Sequence, residues 1–237
     1  MHHLRKMNRL HMDTNSTAHS PEVPPLAEEL AAAMIAAYVI AFTFAHRWTV
    51  KRFGCVSVGG SPRWRNALGL LPQLVVLPFL LLLSVAAPSV ALACERAFVI
   101  VFASILLFDF AVLELAPMLQ LHHATCLVGH GFALWRAPEA FADYHAAVVA
   151  LEVGSGLSSV WWLWGEVTSF PTPLYAVGMT ASNGAAAWAA LTWSMQAASL
   201  PVAARAVPLI ITAALIYLRQ VEMHNLLRYG RSACTTG

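Results

Sequence analysis

The chain has 237 residues, of which 59% are hydrophobic and only 11% charged, with a formal net charge of +2. Soluble domains carry about 25% charged residues, so this deficit, a mean hydropathy of +0.64 and several uncharged runs of helix length exclude an ordinary soluble domain and point to an all-α polytopic membrane bundle. The small positive charge, with no basic tract interleaved with aromatics, argues against a nucleic-acid partner. Cys55, Cys94, Cys126 and Cys234 form no CxxC pair and imply neither a zinc site nor a disulfide framework.

Residues 1–25 form a polar tail in which Arg5, Lys6 and Arg9 precede the first acid, Asp13. No apolar run follows this basic start, so the tail does not read as a secretory signal. It is expected to be disordered when free and to dock on a protein partner if the chain belongs to a larger membrane complex.

Seven helical spans follow within a single transmembrane domain, residues 26–227, and residues 228–237 close the chain as a short polar tail. The first span is expected over Leu26–His46, with Glu28 and Glu29 placed favourably for the helix dipole. A basic loop holding Lys51, Arg52, Arg63 and Arg65 is kept non-helical by Gly54, Gly59, Gly60 and Pro62. The second span, Asn66–Ala93, carries Pro72, Pro78 and Pro88, which predict kinks or an early end. The third runs over Arg96–Leu115 to a break at Pro117, and the fourth, short, over Met118–Trp135. The fifth, Phe141–Trp164, ends on Trp161, Trp162 and Trp164, which read as an interface belt. The sixth covers Leu174–Met195 and the seventh Ala203–Leu226. The basic loop after the first span and the C-terminus, with Arg219, Arg228 and Arg231, fall on one side, expected to be the cytoplasm or the mitochondrial matrix.

Small residues at Gly154, Ser155, Gly156, Ser158 and Ser159, and at Gly178, Ser182 and Ala186, predict close helix approach or space for a lipid chain.

The segment from 109 to 152 is strongly apolar, yet it holds Asp109, Glu114, His122, His123, His130, His145 and Glu152. A charge at the centre of a membrane helix costs roughly 2.5–3.5 kcal/mol on insertion scales. Such groups are kept where they face a bundle interior or a cavity. At about 100° per residue, His145, Glu152, Ser155 and Ser159 share one stripe of the fifth span, and His123 and His130 share a face of the fourth. A histidine beside a carboxylate makes a general base, as acyl transfer to a hydroxyl or amine requires. There is no GxSxG elbow or papain-like cysteine pattern. The HxxxH and HxxHH boxes of membrane di-iron hydroxylases and desaturases are also missing, so no metal is expected.

The chain resembles the TLC-domain membrane proteins, the family that includes the ceramide synthases. The similarity spans about Trp64 to Asn225. It rests on Trp64-x-Asn66, Asp109 in FDF, His122–His123 with Thr125, Glu152 in LEVGSG, Asn183–Gly184 and Asn225. The resemblance implies six helices forming a barrel around a lipid-accessible cavity, and acyl transfer from acyl-CoA with no bound cofactor. It nominates His122, His123, Asp109 and Glu152 as catalytic, with His130, His145, Ser155, Ser159 and Asn183 as substrate contacts. The chain departs from the ceramide-synthase HDxxDxxLE signature: Tyr144, His145 and Val148 stand where His and two Asp are expected. Gln73 stands where relatives often have His, and Trp193 and Met195 lie where an arginine is often found. Expected partners are membrane lipids, in the endoplasmic reticulum or the mitochondrial inner membrane. The alternative is a non-catalytic accessory subunit of a larger membrane complex, such as a respiratory assembly, using the fold as a lipid-binding scaffold.

Overall fold

The computed structural model describes residues 25–58, 61–115, 117–136, 141–164 and 172–229. The N-terminal tail given a docking role above lies outside the described residues, as does the end of the chain from residue 230. The helices are α1 (Pro25–Phe53), α2 (Arg63–Leu71), α3 (Leu77–Ala86), α4 (Ala91–Val112), α5 (Pro117–Arg136), α6 (Phe141–Trp164), α7 (Thr172–Gln196) and α8 (Val202–Tyr229). A π-helical turn at Pro72–Val76 joins α2 to α3, so these three pieces form the expected second span. Five of the helical segments are long and apolar enough to cross a membrane: Ala27–Phe53, Arg63–Ala86, Ala91–Val112, Ala142–Trp164 and Val202–Arg228. α5 and α7 have the length of a span, but their polar residues (Gln120 and three histidines in α5; Thr180, Ser182, Asn183 and Thr192 in α7) dilute their apolarity. The chain is an all-α bundle of the integral-membrane type.

Several ends differ from the sequence expectation, for local reasons. α1 runs past His46 to Phe53 and stops at Gly54, whose φ of 65° is the left-handed conformation that ends helices. The Gly54 N–H bonds the Val50 carbonyl at 3.1 Å. The basic stretch at 51–52 is thus the last turn of α1, where cations suit the helix dipole. Beyond it, Ser57–Val58 and Ser61–Pro62 pair as a two-residue antiparallel hairpin. Pro72 lacks the N–H that an α-helix needs, and the chain widens there into the π turn rather than breaking. The second span then ends at Ala86, before Pro88, and α4 begins earlier than expected.

Six units close a ring. The α2–π–α3 rod packs on α4, α4 on α5, α5 on α8, α8 on α7, α7 on α6, and α6 back on the rod. α1 lies outside it, against α2 and α4. His46 and Phe108 pack edge-on or tilted around the buried Trp64, tying α1, α2 and α4 together. At the other end of α1, Arg96 and the exposed Glu28 pair at 2.9 Å, a contact worth little in water.

The surface is inverted relative to a soluble protein. Ile40, Phe44, Leu82, Val177, Trp188 and Ile210 are each more than half exposed, while Asp109, His123, His130, His145 and Asn183 are buried. Apolar groups facing out and ionisable groups facing in are what a hydrocarbon surround selects. The small residues serve close packing. A Cβ at Gly156 would meet Leu74 and one at Gly178 would meet Leu157, and Ala186 is fully buried. The expected tryptophan belt is corrected: Trp161 and Trp162 are buried, with Trp161 stacked on Tyr175, because α7 and α8 cover that end of α6.

Candidate functional site

The ring holds two adjoining chambers. One is polar, about 270 Å³, and is walled by Arg65, Gln73, Asp109, His122, His123, Glu152, Ser155, Ser159 and Arg219 among others. The second is apolar, about 260 Å³, and is walled by Val148, Leu151, Trp193, Ile211 and Leu215 among others. Phe102, His122, Glu152 and Arg219 belong to both walls and mark the joint. From the joint the apolar chamber follows the helices as far as Phe132 on α5, Tyr144 on α6 and Val207 on α8. At 1.5 Å per helical residue it is therefore roughly 12–18 Å deep. Val128 and Val207 line it and are also 71% and 47% exposed, and α5 touches α8 only sparingly. The chamber thus has a side opening between α5 and α8.

The polar chamber is built around Asp109, which α4 carries toward the ring centre. Arg65, in the first turn of α2, grips it with a fork: Nε donates to Oδ1, and Nη2 donates to Oδ2 at 2.6 Å. Such bidentate pairs are short and directional. His123 Nε2 lies 3.0 Å from Asp109 Oδ2 and Nδ1 lies 2.9 Å from the Leu119 carbonyl oxygen. Both ring nitrogens of His123 are thus engaged by oxygen partners. Gly69 makes the room, since a Cβ there would lie 2.6 Å from Arg65 Nη1 and 3.2 Å from Gln73 Oε1. Gln73, in the π turn, donates to Glu152 Oε2 at 2.9 Å. π turns of this kind recur at functional sites.

His122 is differently placed. Its ring meets only Cys126 Sγ, at 3.9–4.0 Å, and lies T-shaped against His123. It stands at the joint, and among the described residues its nitrogens have no closer polar partner.

Of the residues the sequence nominated, Asp109, His122, His123, Glu152, Ser155 and Ser159 surround the polar chamber. His130, His145 and Asn183 do not line either chamber. His130 bonds Tyr144 Oη through Nδ1 at 3.1 Å and packs edge-on against Phe102. His145 stacks on Phe98 with ring centroids 3.9 Å apart and is almost wholly buried. The stripe expected on α6 therefore divides. Its upper part, Glu152 to Ser159, faces the chamber; its lower end, at His145, faces the aromatic side of α4. Glu114 is exposed beyond the end of α4. Among the described residues, no three His, Cys, Asp or Glu side chains are grouped to hold a metal ion.

Sequence reasoning missed three site residues. Arg65 and Arg219 counted only as topology charges, and Gln73 only as a substitution. Arg219 carried a usable signal: it interrupts the apolar run ALIYLRQV of the last span, the same costly feature that flagged Asp109 and Glu152. It donates from Nη1 to the Leu151 carbonyl at 2.8 Å and to Ser155 Oγ at 3.0 Å, and from Nη2 to Met179 Sδ at 3.0 Å.

Fold and site together define a polytopic α-helical membrane protein with an amphipathic interior cavity. Comparison of the chain with family models, with curated proteins and with solved structures finds no match.

Proposed function

We propose that this protein handles an acyl lipid within the membrane. The acyl chain occupies the apolar chamber, the head group occupies the polar one, and acyl transfer takes place at the joint. One observation carries the reading: an apolar chamber open between α5 and α8 adjoins a polar chamber at His122, Glu152 and Arg219. That is the shape and polarity of a single-chain amphiphile. Pockets of this size with few convergent polar groups are the usual ligand sites.

In the transfer step, His122 takes the proton of an acceptor hydroxyl or amine. The acceptor oxygen or nitrogen bonds to the carbonyl carbon of an acyl thioester such as acyl-CoA, the carbon–sulfur bond breaks, and the leaving thiolate takes the proton from His122. His122 is preferred to His123 because the latter has both nitrogens engaged. Arg65, Asp109 and His123 form the fixed wall. The resemblance to TLC-domain proteins supports the same chemistry and an endoplasmic-reticulum or mitochondrial inner membrane setting.

The test is transfer of a labelled acyl group from long-chain acyl-CoA to lipid hydroxyls and amines by the purified full-length chain. His122→Ala is expected to lose turnover while still retaining an acyl lipid through purification. Turnover unchanged in His122→Ala contradicts the role given to that residue. No turnover with any acceptor, while an acyl lipid still co-purifies, removes the transfer step and leaves binding.

A further inference from the structure

Among the described residues, Arg219 is a cavity arginine that makes no direct ion pair. Arg65 and His123 share Asp109, and Glu152 is held by Gln73. Glu222, one turn further along α8, lines the polar chamber without an ion pair among the described residues. The Arg219 guanidinium is bonded instead to a carbonyl, a hydroxyl and a thioether, with the Glu152 and Glu222 carboxylates near it but in no direct ion pair with it among the described residues. Among the described residues its Nε is buried with no hydrogen-bond partner, and so is the hydroxyl of Ser182. These groups are neighbours, because a Cβ at Gly154 would collide with both Arg219 Nη2 and Ser182 Oγ. Gly154 therefore keeps open the space in which the guanidinium lies. A buried charge without a direct ion pair is costly, and leaving a buried donor unsatisfied adds to the cost. Both costs fall if the cavity's occupant brings its own anion.

We infer that Arg219 is the recognition site for an acidic head group, a carboxylate or a phosphate, on a lipid resident in the bilayer. The inference rests on the amphiphile reading above and names the ligand class. The apolar chamber begins at Arg219, so a chain entering through the α5–α8 opening places its head at the guanidinium. The planar fork of arginine suits both acidic groups.

The experiment measures binding of three lipids with the same oleoyl tail to the full-length protein in phosphatidylcholine nanodiscs: oleic acid, oleoyl lysophosphatidic acid and neutral monoolein. At least one acid is expected to bind about tenfold or more tighter than monoolein, as charged hydrogen bonds allow. Which acid leads identifies carboxylate or phosphate as the head. Arg219→Gln should abolish the preference and leave monoolein unchanged, and Arg219→Lys should keep part of it. Leu215→Trp, which fills the apolar chamber, should weaken all three lipids alike. Equal wild-type affinity for the three, or an equal loss for all in Arg219→Gln, overturns the acidic-head inference while leaving amphiphile binding in place. Binding of none overturns both. The wild-type ranking needs no variant, so it decides the matter even if Arg219→Gln does not fold.

Discussion

The two ends of α5 treat a buried histidine in opposite ways. His123 sits among charges, with each nitrogen against an oxygen and Asp109 shared with the Arg65 fork. Two turns on, His130 sits among rings: Tyr144 on one nitrogen, Phe102 against its edge, and His145 beyond, stacked on Phe98. Burial class alone does not separate them, since both are under a tenth exposed. What separates them is the neighbour that α4 presents. Where α4 carries Asp109, the histidine joins a charged network beside a polar cavity. Where α4 carries Phe98 and Phe102, histidines serve as aromatic packing with a polar handle. A histidine in an apolar helix is therefore a functional candidate only once its neighbours are known.

That comparison can be broken by mutation, and the largest effect should come from the charged end. Asp109→Ala leaves Arg65 and His123 buried without their anion and should destabilise the fold by about 3–5 kcal/mol, seen as a large drop in melting temperature in detergent. A drop no larger than that of a core alanine substitution would show that the network is not closed as described. Next comes the wall between the two ends. Gly154→Ala forces a methyl group against Arg219 and Ser182, and overpacking of this kind costs about 1–3 kcal/mol. Full stability in Gly154→Ala would mean that the guanidinium has room to spare. At the aromatic end, Tyr144→Phe removes only the bond to His130 and should cost about 1 kcal/mol. A loss as large as that of Asp109→Ala would erase the distinction between the ends. The smallest stability effect is expected for His122→Ala, under about 1 kcal/mol, because the ring has no close polar partner to lose.

Most of the helical frame was legible in the chain. The fifth span appears as α6 with the expected bounds, Phe141–Trp164, because turn-forming residues flank a clean apolar run. α7 and α8 extend only a few residues beyond their expected ends. The cost of burying Asp109, His123 and Glu152 pointed to a shared interior, and all three do line the polar chamber. Three features were hidden, two of them because they depend on contacts distant in sequence. Arg65 finds Asp109 from 44 residues away, so its position near the edge of a loop made it look like a topology signal. Helical periodicity put His145 on the same stripe as Glu152, but only the packing of α4 decides which part of a stripe opens to a cavity. The π turn at Pro72–Val76 replaces a kink that three prolines announced without saying how the backbone would absorb them. Apolarity alone nominates five spans rather than seven, since helices lining a polar interior carry part of its polarity.

The central claim is that one amphiphile lies across both chambers, tail in the apolar one. It is tested most directly by photocrosslinking. The full-length protein is reconstituted into liposomes with a long-chain fatty acid bearing a diazirine near its tail end, irradiated and mapped by peptide mass spectrometry. The account predicts adducts on the inner faces of α6 and α8, at Tyr144, Val148, Ile211 and Leu215, which line the apolar chamber. Adducts confined to outward residues such as Ile40, Phe44 and Trp188 would contradict it.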